Sequence, residues 1–391
     1  MEAVVGEFLH LLGAAVGGVK LPEGFSVADG GALFSLAEGQ GLGGAILPVL
    51  AKEGLLDEEA RAPFVGAQLE AIRHTTLLAH ELARIRAVLE GEGIDYVLLK
   101  GAYLRALWPA PWMRTSCDID ILIREADLTR ASDAICAALS YTVRLVGFRD
   151  VSLYAPGDSV HLELHFSLRD QKARSAALGA AWDHAERVGD THEYRLRSDF
   201  AIFFLLFHLL GHMDAGGGGI RPVIDLALLA RRGYDEDGLA VLLADCGLSR
   251  FAEVVLALGD AILTGKAIDG VPAALAEWLI SGGMYGEMHR RAVVGRAKGS
   301  DRAARRTLRR YVLVRLFPKR RELSLTYPAL ARHPWLYPVC IVRRLFHLVF
   351  GGRLVFALRR RRAARRMRDV PIETVEALFS ALGLTYQQKT P

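Results

Sequence analysis

Over the first seventy residues, apolar stretches at helical spacing alternate with glycine-rich breaks, the clearest being Gly39-Gln40-Gly41-Leu42-Gly43-Gly44. This predicts short helices joined by turns. From Gln68 the apolar positions Leu69, Ile72, Leu78, Leu82, Ile85 and Leu89 recur on one helical face among Arg and Glu. They describe a single amphipathic helix that stops at Gly91-Glu92-Gly93, where glycine can take the left-handed conformation. The period then shortens. Tyr96-Val97-Leu98-Leu99 reads as a strand, Lys100-Gly101 as a turn, and Ala102 to Trp108 as a helix. A second strand is expected over Cys117 to Ile123 and an alanine-rich helix over Ala126 to Leu139. The alternation of Val151 to Tyr154 and of Val160 to Phe166, around a turn at Pro156-Gly157-Asp158, predicts a hairpin. Helical periods return at Phe203 to His212 and Arg221 to Arg232, either side of Gly216-Gly217-Gly218-Gly219.

Strands set among many helices indicate an α+β fold, and 391 residues exceed what one hydrophobic core usually supports. The expected divisions are an N-terminal helical region (1–75), a strand-containing domain (76–195), a helical substrate-side domain (196–300) and a basic helical C-terminal region (301–391).

Hydrophobic residues make up 51% of the chain and charged residues 24%, a globular composition rather than a disordered one. The first residues are acidic and lack the pattern of a secretory signal, so a cytoplasmic location is expected. Cys117, Cys136, Cys246 and Cys340 show no Cys-x-x-Cys spacing and read as reduced, mostly buried thiols. The most apolar window, Tyr337 to Phe356, is interrupted by Arg343, Arg344 and Arg353, which argues against a membrane span. The net charge of +5 conceals an asymmetry. Residues 301–369 carry 20 Lys and Arg against 3 acids, and the remainder carries 29 against 41. A basic region beside an acidic body suits RNA, an anionic membrane surface, or the protein's own body as partner.

Strand alternation directs the chemistry. In Asp118-Ile119-Asp120-Ile121 the two carboxylates share a face and the isoleucines point to the core. In His161-Leu162-Glu163-Leu164-His165 the polar residues share a face, so a neighbouring strand would bring Glu163 to the aspartates. Clustered carboxylates repel unless a cation lies between them, and Mg²⁺ or Mn²⁺ with a substrate phosphate fits such a set. Asp118, Asp120 and Glu163 are thus the candidate catalytic and metal-binding residues. Being mutually repelling, the two aspartates should be removable without loss of the fold. Lys100 and Gly101, at the turn after the first strand, and Arg114 and Ser116, before the second, are candidate triphosphate contacts. His161 and His165 read as the polar side of the sheet, because the aspartate pair implies an oxygen-ligated ion. His208 and His212 read as packing residues.

The runs Ile94 to Gly101, Arg114 to Ile123 and His161 to His165 together resemble the uncharacterised nucleotidyltransferase family of the DNA-polymerase-β-like superfamily. The similarity extends to the helix before Lys100, to Arg221-Pro222-Val223-Ile224-Asp225, and to Phe317-Pro318 and Tyr327-Pro328. It implies a small mixed-sheet palm with helices on one side, embedded in a mostly helical protein. It also implies two metal ions and a nucleoside triphosphate such as ATP, whose α-phosphate is attacked by an acceptor while pyrophosphate leaves. Asp118 and Asp120 would bind metal; Glu163 would ligate one ion and act as base. Asp225 would be an active-site residue by the resemblance, or the cap or ion-pair partner of a core helix by its setting. Ala102 departs from the wider superfamily, which often has a second Gly or a Ser there. The rival to an enzyme is a catalytically inactive palm that binds an anionic partner through the Arg-rich region, including Arg359 to Arg362, Arg365 and Arg366.

Overall fold

The computed structural model describes residues 2–147, 149–169, 173–283, 333–350 and 372–384, together with Arg290 and Val294. The chain divides into two compact units, one of Met1–Glu287 with Ala381–Leu384, the other of Met288–Ser380 with Thr385–Pro391.

The first unit opens with helices α1 (Ala3–Leu12), α2 (Gly30–Gly39) and α3 (Gly43–Lys52), as the glycine breaks predict. Helix α4 (Glu58–Gly91) starts well before Gln68. Its N-cap Asp57 accepts from the amide of Ala60, and Glu58 and Glu59 lie at the positive end of the helix dipole. Pro63 and Gly66 obscure that start in the sequence, yet Pro63 lies early in the helix and the chain continues through both.

Among the described residues seven strands follow: β1 (Tyr96–Leu99), β2 (Asp118–Ile123), β3 (Thr142–Val146), β4 (Asp150–Tyr154), β5 (His161–His165), β6 (Ala185–Arg187) and β7 (Glu193–Leu196). They form one mixed sheet in the order β3-β4-β5-β2-β1-β7-β6, so the fold is α+β. The expected hairpin is present as antiparallel β4 and β5. Strands β2 and β5 are parallel, as are β1 and β7. After β1 the helix α5 (Lys100–Leu104) is only five residues long and gives way to a 3₁₀ turn at Arg105–Leu107, in place of the longer helix expected to Trp108.

One face of the sheet carries Tyr96, Ile119, Ile121, Ile123, Val151, Leu153, Leu162 and Leu164, all buried. This face packs on Leu78, Ile85 and Leu89 of α4 and on Ala131, Ile135 and Leu139 of α6 (Leu128–Leu139). Next come α7 (Ser198–Asp214), α8 (Arg221–Ala230), α9 (Glu236–Cys246), α10 (Ser249–Thr264) and α11 (Gly270–Gly282). Helix α7 packs on α8 and α9, and α8 packs on α10. Gly259 lets α10 approach closely, since a Cβ there would lie 2.9 Å from the Val223 carbonyl oxygen.

Helix α12 (Tyr337–Phe350) follows a 3₁₀ turn at Pro334–Leu336, and Leu336 and Tyr337 pack on the buried Cys340 and Ile341. Helix α13 is Ile372–Ala381. Among the described residues no helix is long and apolar enough to cross a membrane. Of the four cysteines only Cys340 is buried; Cys136 and Cys246 are half-buried and Cys117 is exposed. Cys117 is exposed because it precedes β2 instead of beginning it, which corrects the expectation of mostly buried thiols. Phe317-Pro318, Tyr327-Pro328 and Arg359 to Arg366 lie outside the described residues.

Candidate active site

The register of β2 against β5 sets Asp118 opposite His161, Asp120 opposite Glu163 and Leu122 opposite His165. On the far side of β5, Tyr154 of β4 stands across from His161 and Ser152 from Glu163. Because alternate side chains share a face, the acids and histidines project away from the isoleucine and leucine core. Asp118, His161 and Glu163 each offer a donor atom within 4.8 Å of the others, and Asp120, Glu163 and His165 do the same.

Asp120 is buried and multiply held. Lys100 Nζ donates to its Oδ1 at 2.7 Å, and His165 Nε2 lies 2.8 Å from the same oxygen. Burial alone would raise this carboxyl, but Lys100 and His165 outweigh it and drive the group well below the usual carboxylate range. His165 also lies 3.3 Å from Glu163 and lowers that carboxyl. Asp118 behaves oppositely: burial, reinforced by Asp120 and Glu163, raises it against the pull of Lys100. Burial would lower the Lys100 ammonium, yet Asp120, with Asp118 and Glu163, raises it. Asp120 is thus the ion-pair partner of Lys100 as well as a like-charge neighbour of Asp118.

The turn into the site is built by close packing. Lys100 has a left-handed backbone with φ of 42°, uncommon for a residue with a side chain. A Cβ on Gly101 would meet Ser116 Oγ at 2.7 Å and Arg114 Nη1 at 2.9 Å, so the bare side of this glycine is used against the 114–116 segment. Arg105, which the sequence reading passed over, donates to the Gly101 carbonyl and to Ser116 Oγ, each at 2.7 Å. Burial, with Arg114 beside it, brings its guanidinium down to about 10. Arg114 and Asp225 face one another in a bidentate pair, with Nη2 to Oδ2 at 2.8 Å, and the Trp108 indole donates to Asp225 Oδ1 at 2.8 Å. Asp225 is therefore the ion-pair partner of Arg114. Thr115 donates to the Gly41 carbonyl, and His74 Nε2 lies 3.0 Å from the Ser116 carbonyl.

His208 and His212 on α7 contact one another through Nε2 atoms 3.0 Å apart. Burial, and then the positive charge of Lys100, lowers both, His212 to about 4. Their spacing of four was visible in the sequence; their proximity to Lys100 was not.

An Asp-x-Asp strand is thus paired in parallel with a strand that carries a third acid, on a mixed sheet backed by helices. Residues 26–264 match the uncharacterised nucleotidyltransferase family, and the chain belongs to that family. No curated protein and no solved structure matches it.

Proposed function

We propose that the chain transfers a nucleoside monophosphate from a nucleoside triphosphate such as ATP to an acceptor hydroxyl, with Mg²⁺ or Mn²⁺ as cofactor. The bond from the acceptor oxygen to the α-phosphorus forms as the bond from that phosphorus to the bridging oxygen breaks. Pyrophosphate departs with the electron pair, and the acceptor's proton passes to Glu163.

The observation that carries this reading is the register that sets Asp120 beside Glu163 with Asp118 two residues away on the same face. Three carboxylates meet one lysine there, and Lys100 offsets a single negative charge. His161 Nε2, buried in the same cluster, has no hydrogen-bond partner. This donor set fits a divalent cation, which Asp118, Asp120 and Glu163 would hold. When bound, it would supply charge stabilisation to the phosphoryl oxygens and the leaving group. The chain's own part is to fix the carboxylates: Lys100 and His165 lock Asp120, and His165 keeps Glu163 ionised. Lys100, Gly101, Arg105 and Ser116 line the turn proposed to receive the triphosphate, with Arg114 and Asp225 holding its outer end.

The test is label transfer from an α-³²P nucleoside triphosphate to cell extract, with Mg²⁺ or Mn²⁺, comparing wild type with Asp118→Asn. Incorporation that disappears in the variant supports the reading; incorporation that persists unchanged overturns it. The basic region 301–369 would bring the anionic acceptor or surface, in a cytoplasmic setting.

A further inference from the structure

The two histidines of β5 have the same sequence distance from Glu163 and very different surroundings. His165 Nε2 is occupied, 2.8 Å from Asp120 and 3.3 Å from Glu163. His161 Nε2 has its surface covered but makes no hydrogen bond, although Glu163 Oε1 is 3.8 Å away. A buried nitrogen without a partner is costly, and native proteins keep few of them.

The imidazole is also held still. Tyr154 stacks on it, with centroids 4.5 Å apart and the rings 12° from parallel, and the Arg144 guanidinium lies over the Tyr154 ring, 4.6 Å from its centroid. Arg144 is itself paired with Asp158. This stack fixes the ring plane, as a ligand histidine requires. Two donors on one ion, each at ~2.1 Å, lie no more than ~4.2 Å apart, and the 3.8 Å from His161 to Glu163 satisfies that limit.

We propose that His161 is a nitrogen ligand of the cation held by Asp118 and Glu163, so that the centre is a mixed nitrogen–oxygen site selecting Mn²⁺-like transition ions over Mg²⁺. The inference rests on the metal-dependent reading above and specifies its ion. Mg²⁺ takes hard oxygen donors and retains water, whereas imidazole adds affinity for first-row transition ions. His165 serves instead to orient Asp120 and Glu163.

The experiment is Mn²⁺ binding to the full chain, followed by electron paramagnetic resonance, with Mg²⁺ measured by competition. Electron spin-echo modulation then reads nitrogen coupled to the bound Mn²⁺. Wild type should show ¹⁴N coupling and prefer Mn²⁺ to Mg²⁺. In His161→Gln the coupling should vanish and the Mn²⁺ Kd rise about tenfold or more, while Mg²⁺ affinity changes little. Should that variant fail to fold, His165→Gln serves as the converse: retained coupling supports the assignment and lost coupling overturns it. Bound Mn²⁺ without nitrogen coupling in wild type, or coupling that persists in folded His161→Gln, also overturns it. If such oxygen-only Mn²⁺ still supports label transfer, only the nitrogen assignment falls. If neither ion binds and transfer survives chelation, the metal-dependent reading falls with it.

Discussion

Strands β2 and β5 present two faces of one short sheet, and the faces obey different rules. Toward α4 and α6 the side chains are Ile119, Ile121, Leu162 and Leu164, which gain stability by leaving water and need only fit their neighbours. Toward the opposite side they are Asp118, Asp120, His161, Glu163 and His165, which gain nothing from burial and depend on specific partners. The same alternation produces both. The apolar face stabilises the sheet firmly enough that the polar face can hold like charges together without dispersing them.

That contrast can be broken most sharply at the acids. Asp118→Ala should reduce label transfer at least ~10²–10³-fold, the scale seen when one transition-state contact is removed, with an unchanged melting temperature. Asp120→Ala should lose as much activity and also lower the melting temperature, because Lys100 is left buried without its carboxylate. Equal thermal behaviour of the two variants would contradict the partner assignment. Next in size is Asp225→Ala, which leaves Arg114 uncompensated in a buried setting and should cost about 3–5 kcal/mol in urea unfolding.

A smaller effect tests the histidines near the charged face. The folded-state pKa of His212 is about 4 against an ordinary 6.5, so the unfolded chain takes up the proton first. Its contribution to stability is present above about pH 6.5 and is lost as pH falls toward 4, by about 1–3 kcal/mol. His212→Gln should flatten that part of a melting-temperature profile; a profile as steep as wild type would refute the assignment. Smallest is Ile121→Val on the apolar face, expected to cost about 0.5–1.5 kcal/mol while leaving label transfer intact.

The carboxylate centre was legible in the sequence because its information is local. Two acids at alternate positions of one strand, and one acid flanked by leucines in another, need only one pairing to converge, and β2 beside β5 supplies it. Strands β3, β6 and β7 were not legible: β3 is exposed along its whole length, and the other two are short and polar. The pairing of Arg114 with Asp225 could not be read either, since 111 residues separate them and only the packing of the palm against α8 brings them together. The setting of the His161 ring nitrogen was hidden for a different reason. Its position on the acidic face was correctly inferred, but whether its ring nitrogen has a partner depends on Tyr154 and Glu163, which only the register settles.

Gly101 has a consequence at a distance from itself. Because the Ser116 hydroxyl occupies the place where a side chain would begin, a single methyl group there would act as a wedge between the exit of β1 and the entrance to β2. Such damage would displace the entrance to Asp118, so a variant that loses label transfer need not carry a change in any acidic residue.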